Sequence, residues 1–132
     1  MSLNYIRIFR LMKGLLRESQ NYRSDDTRSR QLAEEALAKA EKNKGKLNKV
    51  WADISAMIRL IKAWAKGNYR EIPWRSVSLA IAALLYLISP LDGMPDFIPA
   101  LGLIDDVFVI SWVMRGIQKD LEKFILWEQS AA

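Results

Sequence analysis

The chain has no cysteine and no histidine among its 132 residues. Without cysteine there is no disulfide, no thiol nucleophile and no thiolate metal site. Without histidine the commonest general base and the usual zinc ligand are gone, and with them any Ser-His-Asp or Cys-His apparatus. Proline is scarce as well, four residues in all, yet three of them fall in one short segment. Lys and Arg are missing from Ser76 to Met114. No stretch alternates apolar and polar residues between turn signals, so strands are not expected. What remains for chemistry is carboxylate, hydroxyl and amine, which argues against most familiar enzymes. The length suits one domain able to bury a sizeable core.

The formal net charge is +5 and unevenly spread. Residues 1–75 carry 17 basic and 8 acidic side chains, whereas residues 76–132 carry 3 and 7. A basic front half suits an anionic partner, either lipid headgroups or nucleic acid; the plainer alternative is that the two halves neutralise each other. The N-terminus lacks the continuous apolar run and small-residue cleavage site of a secretory signal. Together with the absence of cysteine, this predicts an intracellular, cytoplasmic protein.

Apolar spacing predicts an all-α bundle of four to five helices. Residues 3–17 place Tyr5, Ile8, Phe9, Met12, Leu15 and Leu16 on one side and Arg7, Arg10, Gly14 and Arg17 on the other, with Lys13 nearby. That pattern fits a helix in a membrane interface, or one packed on its own domain. It sets off residues 1–23 as a basic amphipathic N-terminal helix, with 24–132 as a single helical domain. Asp25 or Asp26 caps a helix to about Asn43, and Asn43-Lys-Gly45 stops it. From Lys46 the stripe Leu47, Val50, Ile54, Met57, Ile61 and Trp64 predicts a core-facing helix to about Lys66, ended by Gly67-Asn68. Pro73 then opens a nearly all-apolar helix over Trp74–Ile88. That helix covers roughly 20 Å, short of the ~30 Å of hydrocarbon, so it reads as the buried centre of a bundle, with a helical hairpin dipping partway into a bilayer as the alternative. Leu103, Val107, Ile110, Met114, Ile117, Leu121 and Phe124 predict a last helix from about Gly102 or Leu103 to Trp127.

Between the two most apolar helices lies the segment Ser89–Asp106, where prolines and glycines forbid a continuous helix. The positions Pro90, Asp92, Pro95, Asp96, Pro99, Gly102, Asp105 and Asp106 resemble the YkvA-like family, a bacterial domain of unknown function. The resemblance covers about residues 72–115. Gly93 departs from it, standing where an aliphatic residue is expected. What the resemblance implies is a compact helical module, often described as a membrane protein, without an established activity. Within this turn Pro90, Pro95, Pro99 and Gly102 are the structural positions. The four carboxylates have no local cation, and two of them 5 Å apart repel by about 3 kcal/mol at an effective dielectric of 20. Backbone caps offer one compensation, with Asp105 and Asp106 expected in the first turn of the last helix. Arg59, Lys62, Arg75 or Arg115 reaching over offers a second, and a divalent cation on Asp92, Asp96, Asp105 and Asp106 a third.

The leading expectation is a non-enzymatic interaction module, peripheral on the inner face of the cytoplasmic membrane or on a membrane protein. Its expected surface is Arg7, Phe9, Arg10, Lys13, Arg17, Lys62, Lys66 and Arg70, and no cofactor is required. Trp64 and Trp74, flanking a basic stretch, suit either a headgroup layer or core and rim packing. The alternative is a Mg/Mn-dependent phosphoester hydrolase built on the four carboxylates. Nucleic-acid binding through the basic half ranks third, because Glu34, Glu35 and Glu41 interrupt the basic helix. A second protomer completing the apolar helices, a homo-oligomer, is a further option.

Overall fold

A computed structural model describes residues 2–45, 47–93 and 99–131, with side chains at Arg10, 12–45, 47–88 and 110–130. Among these residues all regular structure is helical: α1 (Ser2–Ser19), α2 (Asp26–Lys42), α3 (Trp51–Ala65), α4 (Trp74–Gly93) and α5 (Pro99–Ala131). Short 3-10 turns at Gln20–Tyr22 and Asn48–Val50 lead into α2 and α3.

The apolar run at 77–88 leaves no polar stripe to face water, so the other helices must surround it. They do: α4 touches α1, α2, α3 and α5. Val77, Ala80, Ile81, Ala82, Ala83, Leu84 and Leu87 are wholly buried. The chain is an all-α bundle with α4 at its centre. Among the described residues no helix is long and apolar enough to cross a membrane.

Each neighbour presents a face that fits this centre. On α2, Ser29, Leu32, Ala33, Ala36 and Ala40 form the buried stripe. Its small side chains let the backbone approach closely, while Glu34, Glu35 and Glu41 stay exposed. Asp25 caps this helix by accepting the Arg28 N–H at 3.0 Å, satisfying one of the four amides a helix start leaves unpaired. On α3 the expected stripe from Leu47 to Trp64 is buried throughout. Leu47 and Val50, however, belong to the turn before the helix. A second face of α3, Ala56 and Leu60, packs with Tyr69, Leu121 and Phe124 in a smaller core cluster. The helix α3 therefore lies between the main core and the outer half of α5.

The end of α3 is set by Gly67, whose φ is +80°. Its N–H donates to the Trp64 carbonyl and the Asn68 N–H to the Ala63 carbonyl, both at 3.0 Å. This is a Schellman close, which needs a left-handed residue at the glycine. A Cβ added there meets nothing within 4 Å, so Gly67→Ala carries only the conformational cost. We expect a loss of about 1 kcal/mol, read as a few degrees in a thermal melt. The stop after α2 works differently. There the Asn43 side-chain amide donates to the Lys39 carbonyl at 2.9 Å, and no left-handed glycine is used.

Two boundaries around the proline segment differ from expectation. The helix α4 runs past Pro90 to Gly93, and α5 begins at Pro99. Pro90 deletes one N–H donor in the last turn of α4, where only three residues follow. Pro99 opens α5, the position where a missing N–H costs nothing and a fixed φ helps. The earlier start carries Asp105 and Asp106 about two turns into α5, beyond the first-turn amides expected to serve them; no acidic residue occupies that first turn. Asp92 lies in the final turn of α4.

Candidate functional site

Of the residues expected at a membrane or partner surface, Arg10, Lys13, Arg17, Lys66 and Arg70 are exposed and Lys62 is half-buried. The side chains of Arg7 and Phe9 lie outside the described residues. So do the side chains of Asp92, Asp105 and Asp106, those of Pro90, Pro99 and Gly102, and Pro95 and Asp96 altogether. Among the described residues no group of three or more acidic or other metal-ligating side chains converges.

The second half of α1 spends its apolar side inside the protein. Met12 and Leu15 join the main core. At the end of this helix the Ser19 hydroxyl donates to the Leu16 carbonyl and lies 2.8 Å from the buried Ser78 hydroxyl of α4. A hydroxyl has one proton to give, so Ser78 is the donor in that pair. Amphipathic spacing at 12–19 thus serves the bundle, and only the basic side of this stretch is left to water.

Where α1, α4 and α5 meet, a groove of about 700 Å³ opens to the surface. Leu16 and Gln20 border it from α1 and the turn that follows, Trp74, Arg75, Ser78 and Leu79 from α4, and Trp112, Arg115 and Gly116 from α5. Helical spacing explains the grouping. Lys13, Leu16, Arg17 and Gln20 follow i, i+3, i+4, i+7, as do Trp112, Arg115, Gly116 and Lys119, so each set shares one side of its helix. Trp112 is 43% exposed, the tryptophan most open to water among the five. At the floor, α5 comes close to α4: a Cβ on Gly116 would stand 3.2 Å from Leu79 Cδ1.

Beside this groove lies a ladder of aromatic and cationic groups. The rings of Trp64 and Trp74 are 5.7 Å apart. Arg70 lies 4.7 Å over Trp64 and Arg23 5.1 Å over Trp74. The Trp74 indole N–H donates to the Gln20 side chain at 3.2 Å. Arg70 also pairs with Asp26 at 3.2 Å. Trp64 is buried, so it serves the core, and the guanidiniums cover these rings.

Sequence reasoning missed the groove because its parts come from three separate helices. Arg115 entered there only as a possible partner for the loop carboxylates, and Arg75 as such a partner and as part of the basic stretch beside Trp64 and Trp74. The available signals were the i, i+3, i+4, i+7 sets on α1 and α5.

A further titratable group marks the opposite side of α3. Tyr69 packs on Phe124 and Trp127 at ring distances of 5.3 and 5.1 Å. Burial, then the charges of Asp120 and Glu71, push its hydroxyl above the ordinary tyrosine range. A raised folded-state value means that the folded protein keeps a proton the unfolded chain loses. The stabilisation is therefore whole below a pH of about 10 and declines as pH rises beyond it. Denaturant titrations from neutral to alkaline pH should show that decline, and Tyr69→Phe should flatten it.

An all-α bundle with a buried apolar helix and a long final helix that opens on a proline is the class these features define. The chain belongs to the YkvA-like family, the proteins of unknown function grouped as DUF1232. That family's pattern matches residues 76–112, which take in most of α4 and the first turns of α5. A similar protein is the "Uncharacterized membrane protein YkvA" of Bacillus subtilis (strain 168), 34% identical over 74 residues, covering 56% of this chain and 70% of that protein. No solved structure matches the chain.

Proposed function

We propose that this protein is a non-enzymatic helical module that holds peripherally to an anionic membrane surface, on the inner face of the cytoplasmic membrane. The observation that carries the reading is the exposed basic side of α1. Arg10, Lys13 and Arg17 face water while Met12 and Leu15 are committed to the core. Across the groove Arg75, Arg115 and Lys119 extend the same charge beside the open Trp112. Basic residues near an anionic surface contribute about 1 kcal/mol each, and an indole at its edge suits the headgroup layer. The Bacillus subtilis relative is called a membrane protein, and most of the described apolar side chains of α4, the most apolar helix, are buried in protein.

Co-sedimentation of the full chain with vesicles tests this. Phosphatidylglycerol-containing vesicles should bind it at low salt and release it as salt rises, since the attraction is screened within about 10 Å at 0.1 M. Pure phosphatidylcholine vesicles should not bind. The double substitution Lys13→Gln/Arg17→Gln should weaken binding about tenfold or more with little change in melting. Absence of binding to anionic vesicles at low salt overturns the reading.

A further inference from the structure

Arg75 and Arg115 differ from Arg59 and Arg70, which are held in ion pairs. Arg59 meets Glu128 through two hydrogen bonds, at 2.9 and 3.2 Å, and Arg70 meets Asp26. Neither Arg75 nor Arg115 has an ion-pair or hydrogen-bond partner among the described residues. The carboxylate of Asp120, further along α5, is engaged by the buried Ser76 hydroxyl. Two exposed guanidiniums therefore border one groove uncompensated, and they attract an anion. Guanidinium recognises phosphate through paired hydrogen bonds.

The groove itself asks for something else. Leu16, Leu79 and Trp112 supply apolar wall, and its volume of about 700 Å³ falls in the range that encloses a small organic ligand. Inorganic phosphate would satisfy the arginines and leave that wall in water. A purely apolar ligand would cover the wall and leave the arginines unpaired. Both demands are met by one molecule with an anionic head and an apolar chain. We propose that the groove seats a single anionic phospholipid, its phosphodiester against Arg75 and Arg115 and an acyl segment along Leu16, Leu79 and Trp112. This rests on the membrane-surface reading for the source of the lipid, and it turns diffuse attraction into a site with a defined occupant.

The test is calorimetric titration of the full chain with dihexanoyl-phosphatidylglycerol below its micelle concentration, so that no bilayer is present. Saturable one-to-one binding is expected. Dihexanoyl-phosphatidylcholine, glycerol phosphate and inorganic phosphate should each bind about tenfold more weakly or worse, a difference of about 1.4 kcal/mol. Arg75→Gln/Arg115→Gln should lose about tenfold or more toward the anionic lipid while melting as the parent does, both side chains being exposed. Trp112→Ala should weaken the lipid and leave glycerol phosphate unchanged. Equal binding of inorganic phosphate, or of the lipid by the arginine variant, overturns the proposal. So does a concentration-dependent dimer abolished by that variant, which gives the groove to a second copy. Binding to anionic vesicles without binding of the monomeric lipid overturns the groove and spares the membrane reading. Binding of the monomeric lipid without vesicle binding supports the groove and removes the membrane reading.

Discussion

Leu84→Ala should cost about 3 to 5 kcal/mol, the largest single-site loss we expect in α4. Leu84 is wholly buried in the helix that touches all four others. Truncation there removes transfer free energy and leaves a cavity in the main core that close-packed surroundings cannot fully close. Against a total stability of about 5 to 15 kcal/mol for a domain, that loss should lower the melting temperature by about 10 °C or more. Leu126→Ala is the control: Leu126 is 62% exposed, and its truncation should stay within about 0.5 kcal/mol. The pair also decides what the apolar run is for. A helix whose apolar side chains met lipid would owe little of its stability in water to Leu84. Similar small effects at Leu84 and Leu126 in detergent-free buffer would therefore argue against α4 as a protein-enclosed core.

How far the fold could be read in advance depends on how local its cause is. The stripe Leu47, Val50, Ile54, Met57, Ile61, Trp64 was legible because periodicity names a buried face directly, and each member is buried. The all-round apolar character of 77–88 foretold its central place for the same reason. Asp25 and Gly67 were legible because caps are chemistry within a few residues. Pro90 was less so: a proline forbids a helix in its middle, but with only Leu91 to Gly93 remaining the penalty is a single missing donor. The start of α5 at Pro99 followed from the same asymmetry, with proline tolerated at a first turn.

The candidate site was legible only in part. Periodicity on α1 shows an apolar side without saying what covers it, and at Met12 and Leu15 the cover is the protein's own core. The basic side could be foreseen, since exposure is what remains. The groove could not. Arg75 and Arg115 are forty residues apart and come to line one groove only because α5 folds back along α4 at Gly116 and Leu79, a contact with no local signature. The aromatic surroundings of Tyr69 are hidden in the same way, since Phe124 and Trp127 reach it only through the pairing of α5 with α3.

That pairing sets up the second large effect. Phe124→Ala should cost about 3 to 5 kcal/mol, and the damage should be confined to one region. Phe124 is 1% exposed, lies edge-on to Tyr69 and stacks on Trp127 at 5.8 Å. It belongs to the smaller cluster with Ala56, Leu60 and Leu121, whereas Ile110, Val113 and Ile117 tie the earlier part of α5 to the main core. Loss of the ring should therefore loosen the outer half of α5 before the bundle melts. Hydrogen exchange should report faster amides after Ile117 and unchanged protection in α4. The bidentate pair between Arg59 and Glu128 also joins α3 to this half, but its side chains are 47% and 27% exposed. Exposed pairs of this kind contribute up to about 1 kcal/mol. Arg59→Ala should thus leave exchange in the outer half nearly unchanged, with Phe124→Ala dominating any double variant. Were the ion pair the main fastener, the order would invert: Arg59→Ala would free the end of α5 and Phe124→Ala would spread its effect evenly through the protein.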